Sequence, residues 1–313
     1  MTKRALSKKR HYIPGLARFY FRPTFDWTPS QAEKMYNRKN SQFLDSEIDV
    51  VYYRDCIGGM KELPDESVDT IIADPPFGLD FSGKESLYNR DPFLVVEGYQ
   101  EVSEYDKFTL EWVSQLSRIM KTESTAYIFS GWTNLESVLM AIRLSGLTVK
   151  NHLIWKYQFG VFTKKKFVTS HYHIVMVVKN EEDYFFNKVD HYPLDVFEYP
   201  RKYRPGRKKN GTVLPVEVVK RCIDFSSKPG DLVLDPFMGN GTTAITAKGN
   251  FRHFLGFEIN ENMQEIISES INAIMPGVDY TKYLSRCPSP EDLKEDYPRA
   301  YKEYKRRSGY LPD

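Results

Sequence analysis

Ser67-Val68-Asp69-Thr70-Ile71-Ile72-Ala73-Asp74-Pro75-Pro76-Phe77 begins as a short run that turns apolar and ends on a polar cluster. The apolar part reads as a buried strand. Strand ends in open α/β sheets are where sites are built, in the crevice beyond the carboxyl edge. Pro75 and Pro76 fix φ and remove two backbone donors, so the local polar surface consists of acceptors. Asp74 adds a carboxylate acceptor and Phe77 an apolar face. Such a cluster suits the gripping of a flat ring that carries an exocyclic amino group. A tight turn with a capping Asp is the plainer reading of Asp-Pro alone. The whole tetrapeptide directly after a strand favours a site.

Working outward, the chain of 313 residues is long enough for one large domain with insertions or two small ones. Charged residues make up 27% and the net charge is only +2, so any nucleic-acid footprint must come from local clustering. Cys56, Cys222 and Cys287 are far apart and form no C-x-x-C, which argues against a disulfide framework or zinc site and fits a reducing cytosol. No metal site is expected. No apolar run approaches the roughly 20 residues of a membrane span. The basic start, Met1 to Arg10, lacks the apolar segment of a secretory signal.

Residues 1–46 read as a basic extension, a solvated arm that packs a few aromatics on the body. Asp49 to Tyr53 reads as a strand with Asp55 and Cys56 at its end, and Met60 to Pro64 as one helical turn. From Gly78 to about Asp106 the chain is polar and irregular, and so long a loop directly after the acceptor cluster suggests a substrate-closing lid. Helices over Phe108–Met120 and Leu135–Leu144 alternate with strands at Ala126–Phe129, His152–Trp155 and His173–Val178, the pattern of a layered α/β sheet. His171 and His173 would share one strand face, where ordinary structural histidines are the expectation. Arg201, Lys202, Arg204, Arg207, Lys208 and Lys209 form an acid-free run interleaved with Tyr199 and Tyr203. A solvated loop is the usual explanation of such a run. Its interruption of a regular pattern suggests phosphate contact instead.

After a helix over Leu214–Phe225 and a strand over Asp231–Leu234 comes Asp235-Pro236-Phe237-Met238-Gly239-Asn240-Gly241-Thr242-Thr243. Two glycines between strand and helix let the backbone approach a ligand closely. A dinucleotide loop would carry a third glycine and no acid facing the phosphate. Asp235 fits a cationic cofactor better. His253 to Glu258 reads as the next strand, ending in a carboxylate where α/β nucleotide sites bind ribose hydroxyls. An ammonium beside Asp235, a ligand over Gly239 and Gly241, and a ribose at Glu258 together describe S-adenosylmethionine.

At this point Asp74-Pro75-Pro76-Phe77 resembles the D-P-P-[YFW] signature of amino-methyltransferases, and Asp235 to Thr243 resembles their D-P-F-x-G-S-G-T-T cofactor motif. Catalytic motif, recognition insert and cofactor motif follow one another in the order of the beta group of S-adenosylmethionine-dependent DNA amino-methyltransferases, across roughly residues 48–275. The resemblance implies an α/β, Rossmann-like methyltransferase fold: a mostly parallel seven-stranded sheet with one antiparallel strand and a circularly permuted motif order. It divides the chain into an extension (1–46), a catalytic half (47–179), a DNA target-recognition insert (180–210), a cofactor-binding half (211–275) and a C-terminal extension (276–313).

The resemblance implies site-specific methylation of adenine N6 in double-stranded DNA after base flipping, because the amine is out of reach inside the duplex. Asp rather than Ser ahead of Pro-Pro favours adenine. Cytosine-N4 methylation, RNA amino-methylation and a non-catalytic DNA-binding protein are the alternatives. Asp74 and Pro75 would localise the amine lone pair, with Pro76 and Phe77 completing the catalytic tetrapeptide. Asp55, Cys56, Asp74, Asp235, Phe237, Gly239, Asn240, Gly241, Thr242 and Glu258 would bind the cofactor, Asp55 at its adenine. Partners implied are DNA, a cognate restriction endonuclease and a second copy of the chain, in the cytoplasm at the nucleoid. Asn210-Gly211-Thr212-Val213-Leu214-Pro215 stands where the family often has His-Pro-Thr-x-Lys-Pro, and His171-Tyr172 where it often has His-Glu.

Overall fold

Ile71 and Ala73 pack into one apolar cluster while Ile72, between them, packs into another. The same alternation separates Leu232 and Leu234 from Val233, and Leu255 and Phe257 from Phe254. Strands buried on both faces need a helical layer on each side, as parallel sheets require. The computed structural model describes residues 27–38, 40–76, 105–158, 160, 163–187, 189, 193–201 and 213–280, with isolated positions 295, 298 and 302.

In chain order the elements are α1 (Pro29–Tyr36), β1 (Val50–Tyr52), α2 (Cys56–Glu62), β2 (Val68–Ala73), α3 (Tyr105–Ile119), β3 (Met120–Ser130) and α4 (Leu135–Leu144). They continue as β4 (Thr148–Lys156), β5 (His171–Val178), β6 (Val196–Glu198), α5 (Val216–Ser226), β7 (Leu232–Asp235), α6 (Thr242–Gly249), β8 (His253–Phe257) and α7 (Gln264–Asn272). One sheet has the order β1-β8-β7-β2-β3-β5-β4-β6. Only β5 runs against the others, pairing antiparallel with β3 and β4. Helices α2, α3 and α4 cover one face through Met60, Trp112, Leu116 and Ile142; α5, α6 and α7 cover the other through Val219, Ile223, Ala244 and Ile267.

The mixed, mostly parallel sheet expected from the sequence is present, with eight strands rather than seven. The extra one, β6, comes from the segment read as a recognition insert and pairs parallel with β4 at the sheet edge. Element ends also differ. Helix α2 starts at Cys56 because Asp55 caps it, its carboxylate accepting from the Gly58 N–H at 2.6 Å. Strand β3 starts at Met120, and the polar residues Lys121 to Thr125 that follow hide its first half from periodicity. The N-terminal segment contains α1, opened by a capping box between Thr28 and Gln31. Its Ala32 is buried beside Phe251 and Tyr280, and the Tyr36 carbonyl lies 2.8 Å from His253 Nε2. Phe77, the expected lid up to residue 104 and residues Lys202 to Lys209 lie outside the described residues, while Tyr105 and Asp106 at the lid's expected end already belong to α3. Among the described residues no helix is long and apolar enough to cross a membrane.

Strand order reverses between β2 and β7. From β7 the chain moves through α6 to β8 on one side, and from β2 through α3 to β3 on the other. The crevice at such a switch point is where α/β folds bind ligands. It is braced by a close contact at Gly59 of α2, where an added Cβ would lie 2.2 Å from the Phe257 ring of β8. Alanine is a better helix former than glycine by about 1 kcal/mol, so Gly59→Ala tests packing directly. The expected result in urea unfolding is a net loss of about 1–3 kcal/mol. An equally stable variant would mean that the ring moves aside.

Candidate active site

Four neighbouring parallel strands end in the same crevice. Asp55 follows β1, Glu258 follows β8, Asp235 closes β7 and Asp74 follows β2. Pairing of Ile71 with Leu234 and of Asp235 with Gly256 brings Asp74, Asp235 and Glu258 to one edge although they are far apart in the chain.

Asp235 is the deepest of these, 4% exposed. Its Oδ1 accepts from the Phe237 N–H at 2.9 Å and its Oδ2 from the Thr243 hydroxyl at 2.6 Å. Burial pushes its pKa up to about 7, the Thr243 and Phe237 bonds opposing and the nearby Glu258 adding to the rise. Asp74 is likewise pushed up to about 7, by burial first and then by the charge of Asp235, with Arg201 pulling it down. Both groups therefore stay protonated further up the pH scale than ordinary carboxylic acids. Each favours the fold most when protonated, and that contribution is lost as pH rises from the usual carboxylate range through about 7. A cation held between them would restore it.

Glu258 is half-buried, and burial raises its pKa. Its Oε2 accepts from the Gly239 N–H and its Oε1 from the Asn260 N–H, both at 2.8 Å. One lone pair on each oxygen remains for a pair of vicinal hydroxyls. The carboxylate thus also fixes the glycine loop. Gly239 (φ 55°) and Gly241 (φ 79°) adopt the left-handed region that side chains disfavour. A Cβ on Gly239 would meet nothing closer than the Phe237 carbonyl at 3.7 Å, so the space above the loop is open. Asn240 is half-buried at the turn, and Thr242 opens α6. Asp55 is exposed and has one oxygen on Gly58, leaving the other for an amine. Cys56 beside it is buried in the core, and burial pushes its thiol up to about 12, so it is neutral.

Sequence reasoning missed the contribution of α3. Phe237 packs edge-on against Trp112 at 5.3 Å and lies 6.2 Å from Phe108. The Trp112 indole N–H and the Asn260 amide nitrogen are buried with no hydrogen-bond partner among the described residues. Tyr105 is close enough to Asp74 for that charge to contribute to raising its pKa, though burial is the larger cause. Unsatisfied buried polar atoms in a native fold call for an explanation, such as a ligand or an ordered water. A buried acid for a cationic centre, a carboxylate for vicinal hydroxyls, an open glycine floor and free polar atoms fit a sulfonium nucleoside.

Arg201, expected from the sequence at a phosphate, stands among aromatic rings. Its guanidinium stands 4.0 Å from the Tyr157 ring centroid, 5.0 Å from Tyr172 and 5.9 Å from Trp155. Its backbone is clamped both ways to the Gln158 side chain, at 3.0 and 3.2 Å. The i, i+2 spacing of Trp155 and Tyr157 was a legible signal for two rings on one strand face. On the opposite face His152 Nε2 lies 2.8 Å from His173 Nδ1, with His171 stacked edge-on at 5.0 Å from His173.

The sequence profile of a family described as DNA methylase matches residues 68–269, well over half of the chain. The type II methyltransferase M.HinfI of Haemophilus influenzae is 28% identical over 252 residues, covering 74% of this chain and 70% of that protein. The DNA adenine methyltransferase YhdJ of Escherichia coli K12 is 29% identical over 247 residues, covering 69% and 80%. The crystal structure of an M1.HpyAVI–SAM complex shares the fold, with a TM-score of 0.52 at 20% identity over 71% of this chain and 98% of that one.

A cationic ligand binds the ionised form of Asp235. Affinity for S-adenosylmethionine is therefore expected to rise with pH through about 7 and level off above it. Asp235→Asn is expected to weaken binding and remove that rise. Calorimetric titration across the pH range checks both, and a flat wild-type profile would place the positive centre away from Asp235.

Proposed function

The chain belongs to the DNA methylase family, and from that premise we propose that it moves the methyl group of S-adenosylmethionine to the exocyclic N6 of adenine in duplex DNA. The observation that carries this reading is the position of Asp74-Pro75-Pro76 at the carboxyl end of β2, across the switch point from Asp235 and the glycine loop. The adenine-specific name of the Escherichia coli relative supports the choice of base.

S-adenosylmethionine supplies a methyl carbon made electrophilic by its sulfonium. Asp235 would hold the positively charged methionyl end, Glu258 the ribose hydroxyls and Asp55 the adenine amine of the cofactor. Phe237 walls the site, with Gly239, Asn240, Gly241 and Thr242 as its floor. The target amine is a poor nucleophile because its lone pair is delocalised into the ring. Asp74 and the Pro75 carbonyl would accept its two hydrogens, drawing electron density back onto N6. The proton that N6 must lose has the Asp74 carboxylate as acceptor. A pKa of about 7 suits that role, since a general base works best near the operating pH. Pro76 keeps competing donors away, and Phe77 would stack on the flipped base.

Lys202, Arg204, Arg207, Lys208 and Lys209 would contact phosphates, each contact lowering the salt slope of DNA binding by about 0.9 when removed. Arg201 is assigned here to the catalytic corner. A cognate restriction endonuclease and a homodimeric assembly extend the reading; the type II name of the Haemophilus influenzae relative supports the first.

The direct test is digestion of duplex DNA treated with the protein and S-adenosylmethionine, which should yield N6-methyladenine; N4-methylcytosine would move the reading to cytosine. Asp74→Ala is expected to cut single-turnover transfer by roughly 10²- to 10⁴-fold while the cofactor still binds. Loss of cofactor binding without a separate loss in chemistry would sink the assignment. Arg201→Ala removes a cation that lowers the Asp74 pKa, so the acid limb of the rate profile should shift to higher pH. Arg201→Lys should restore it in part. A reduced salt slope with an unmoved acid limb would return Arg201 to the phosphate contacts.

A further inference from the structure

The connection between β4 and β5, residues 157–170, leaves the sheet at the same edge as Asp74, because β4 runs parallel to β2. Its base is tightly held. The Tyr157 N–H donates to the Ser170 carbonyl at 2.9 Å, and a Cβ on Gly160 would come within 1.9 Å of the Thr169 carbonyl. The two limbs therefore pack too closely for a side chain between them. At the tip, the Thr163 hydroxyl donates to the Lys166 carbonyl and closes a turn.

This tip carries Lys164, Lys165, Lys166, Phe167 and Val168. Phe167 is 99% exposed and Val168 40% exposed. The three lysines are exposed and make no ion pair with any described residue. Lysines on neighbouring elements are matched: Lys150 with Glu181, Lys156 with Glu198, Lys179 with Glu66 and Lys228 with Glu123. A single exposed aromatic is ordinary. A fully exposed Phe at the end of a braced connection, beside three cations with no ion pair among the described residues and at the edge where the target base must enter, fits a polyanion with stackable bases.

We propose that the 163–168 hairpin tip is a DNA wedge: Lys164, Lys165 and Lys166 lie on backbone phosphates while Phe167 enters the base stack beside the target nucleotide. The proposal rests on the DNA-methylating reading of the same edge. Apolar side chains that enter a base step partly unstack it, and an aromatic ring can take the place of the lost neighbour. Phe167 would then hold open the gap from which the adenine leaves, with the lysines fixing its register through their phosphate contacts.

The experiment uses the full chain and a duplex containing the site that the wild-type protein methylates, located by sequencing of modified bases. 2-Aminopurine replaces the target adenine and brightens when unstacked. Phe167→Ala should reduce the fluorescence gain and weaken binding by about 5- to 150-fold, the value of one base–aromatic stack. The triple variant Lys164→Ala/Lys165→Ala/Lys166→Ala should bind with a salt slope lowered by about 0.9 for each lysine. Affinity for S-adenosylmethionine should be unchanged in both, which shows that the variants are folded. An unchanged fluorescence gain and affinity in Phe167→Ala, or an unchanged slope in the triple variant, would overturn the proposal. A wild-type protein that methylates no DNA would instead remove the reading beneath it.

Discussion

Two acids held next to each other at the ends of adjacent buried strands set the terms for this molecule. Burial raises the cost of ionising each, and a neighbouring carboxylate adds to it, Asp235 for Asp74 and Glu258 for Asp235. An unliganded site of this kind is poised at neutral pH, ready to lose protons to solvent when a cation arrives. The glycine loop, the Thr243 and Phe237 bonds to Asp235 and the cage around Arg201 all bear on the same balance. Asp235 has both oxygens engaged and is fixed in place. Among the described residues the Asp74 side chain makes no hydrogen bond.

The sheet divides the labour around these acids. On the β7, β8 and β1 side lie the glycine loop, Glu258 and Asp55, a surface for a nucleoside with a charged tail. On the β3, β5 and β4 side lie aromatic rings and Arg201. Glu258 joins binding to architecture, because the Gly239 N–H it accepts belongs to the loop that the ligand would lie on. Its removal would loosen that loop. The Phe237 ring links the halves from the other direction, packing on Trp112 and Phe108 of the helix that follows the catalytic strand.

The catalytic strand precedes the cofactor strand in the chain by about 160 residues, yet β2 and β7 are neighbours. Closing that separation involves a buried polar seam as well as apolar packing. The Thr70 hydroxyl donates to the Ser226 carbonyl at 2.9 Å, and the Tyr127 hydroxyl lies 2.7 Å from Ser226 Oγ. At the opposite edge Asp69 accepts from the Leu232 N–H and pairs with Lys121. These contacts set the register between the halves, and so the spacing of the two acids.

The sequence by itself determined the strands that end in acids, because short apolar runs stopping at Asp74, Asp235 and Glu258 leave little other reading. It also determined the family and the chemistry of the crevice, since residue types such as Pro-Pro after Asp limit which groups can be offered. Local signals that were present but weak went unread: the Thr28–Gln31 capping box before α1, and the Asp55 cap hidden by Gly58-Gly59. Only the tertiary structure decided what depends on distant neighbours. A basic run looks the same whether its members face phosphate or ring, and the rings against Arg201 come from Trp155, Tyr157 and Tyr172, far from it in the chain. The exposure of Phe167, the second role of Glu258 and the raised pKa values of Asp74 and Asp235 likewise come from the burial and proximity of groups far apart in the chain. Periodicity and composition record what a residue is; its field and its exposure are set by what the fold brings against it.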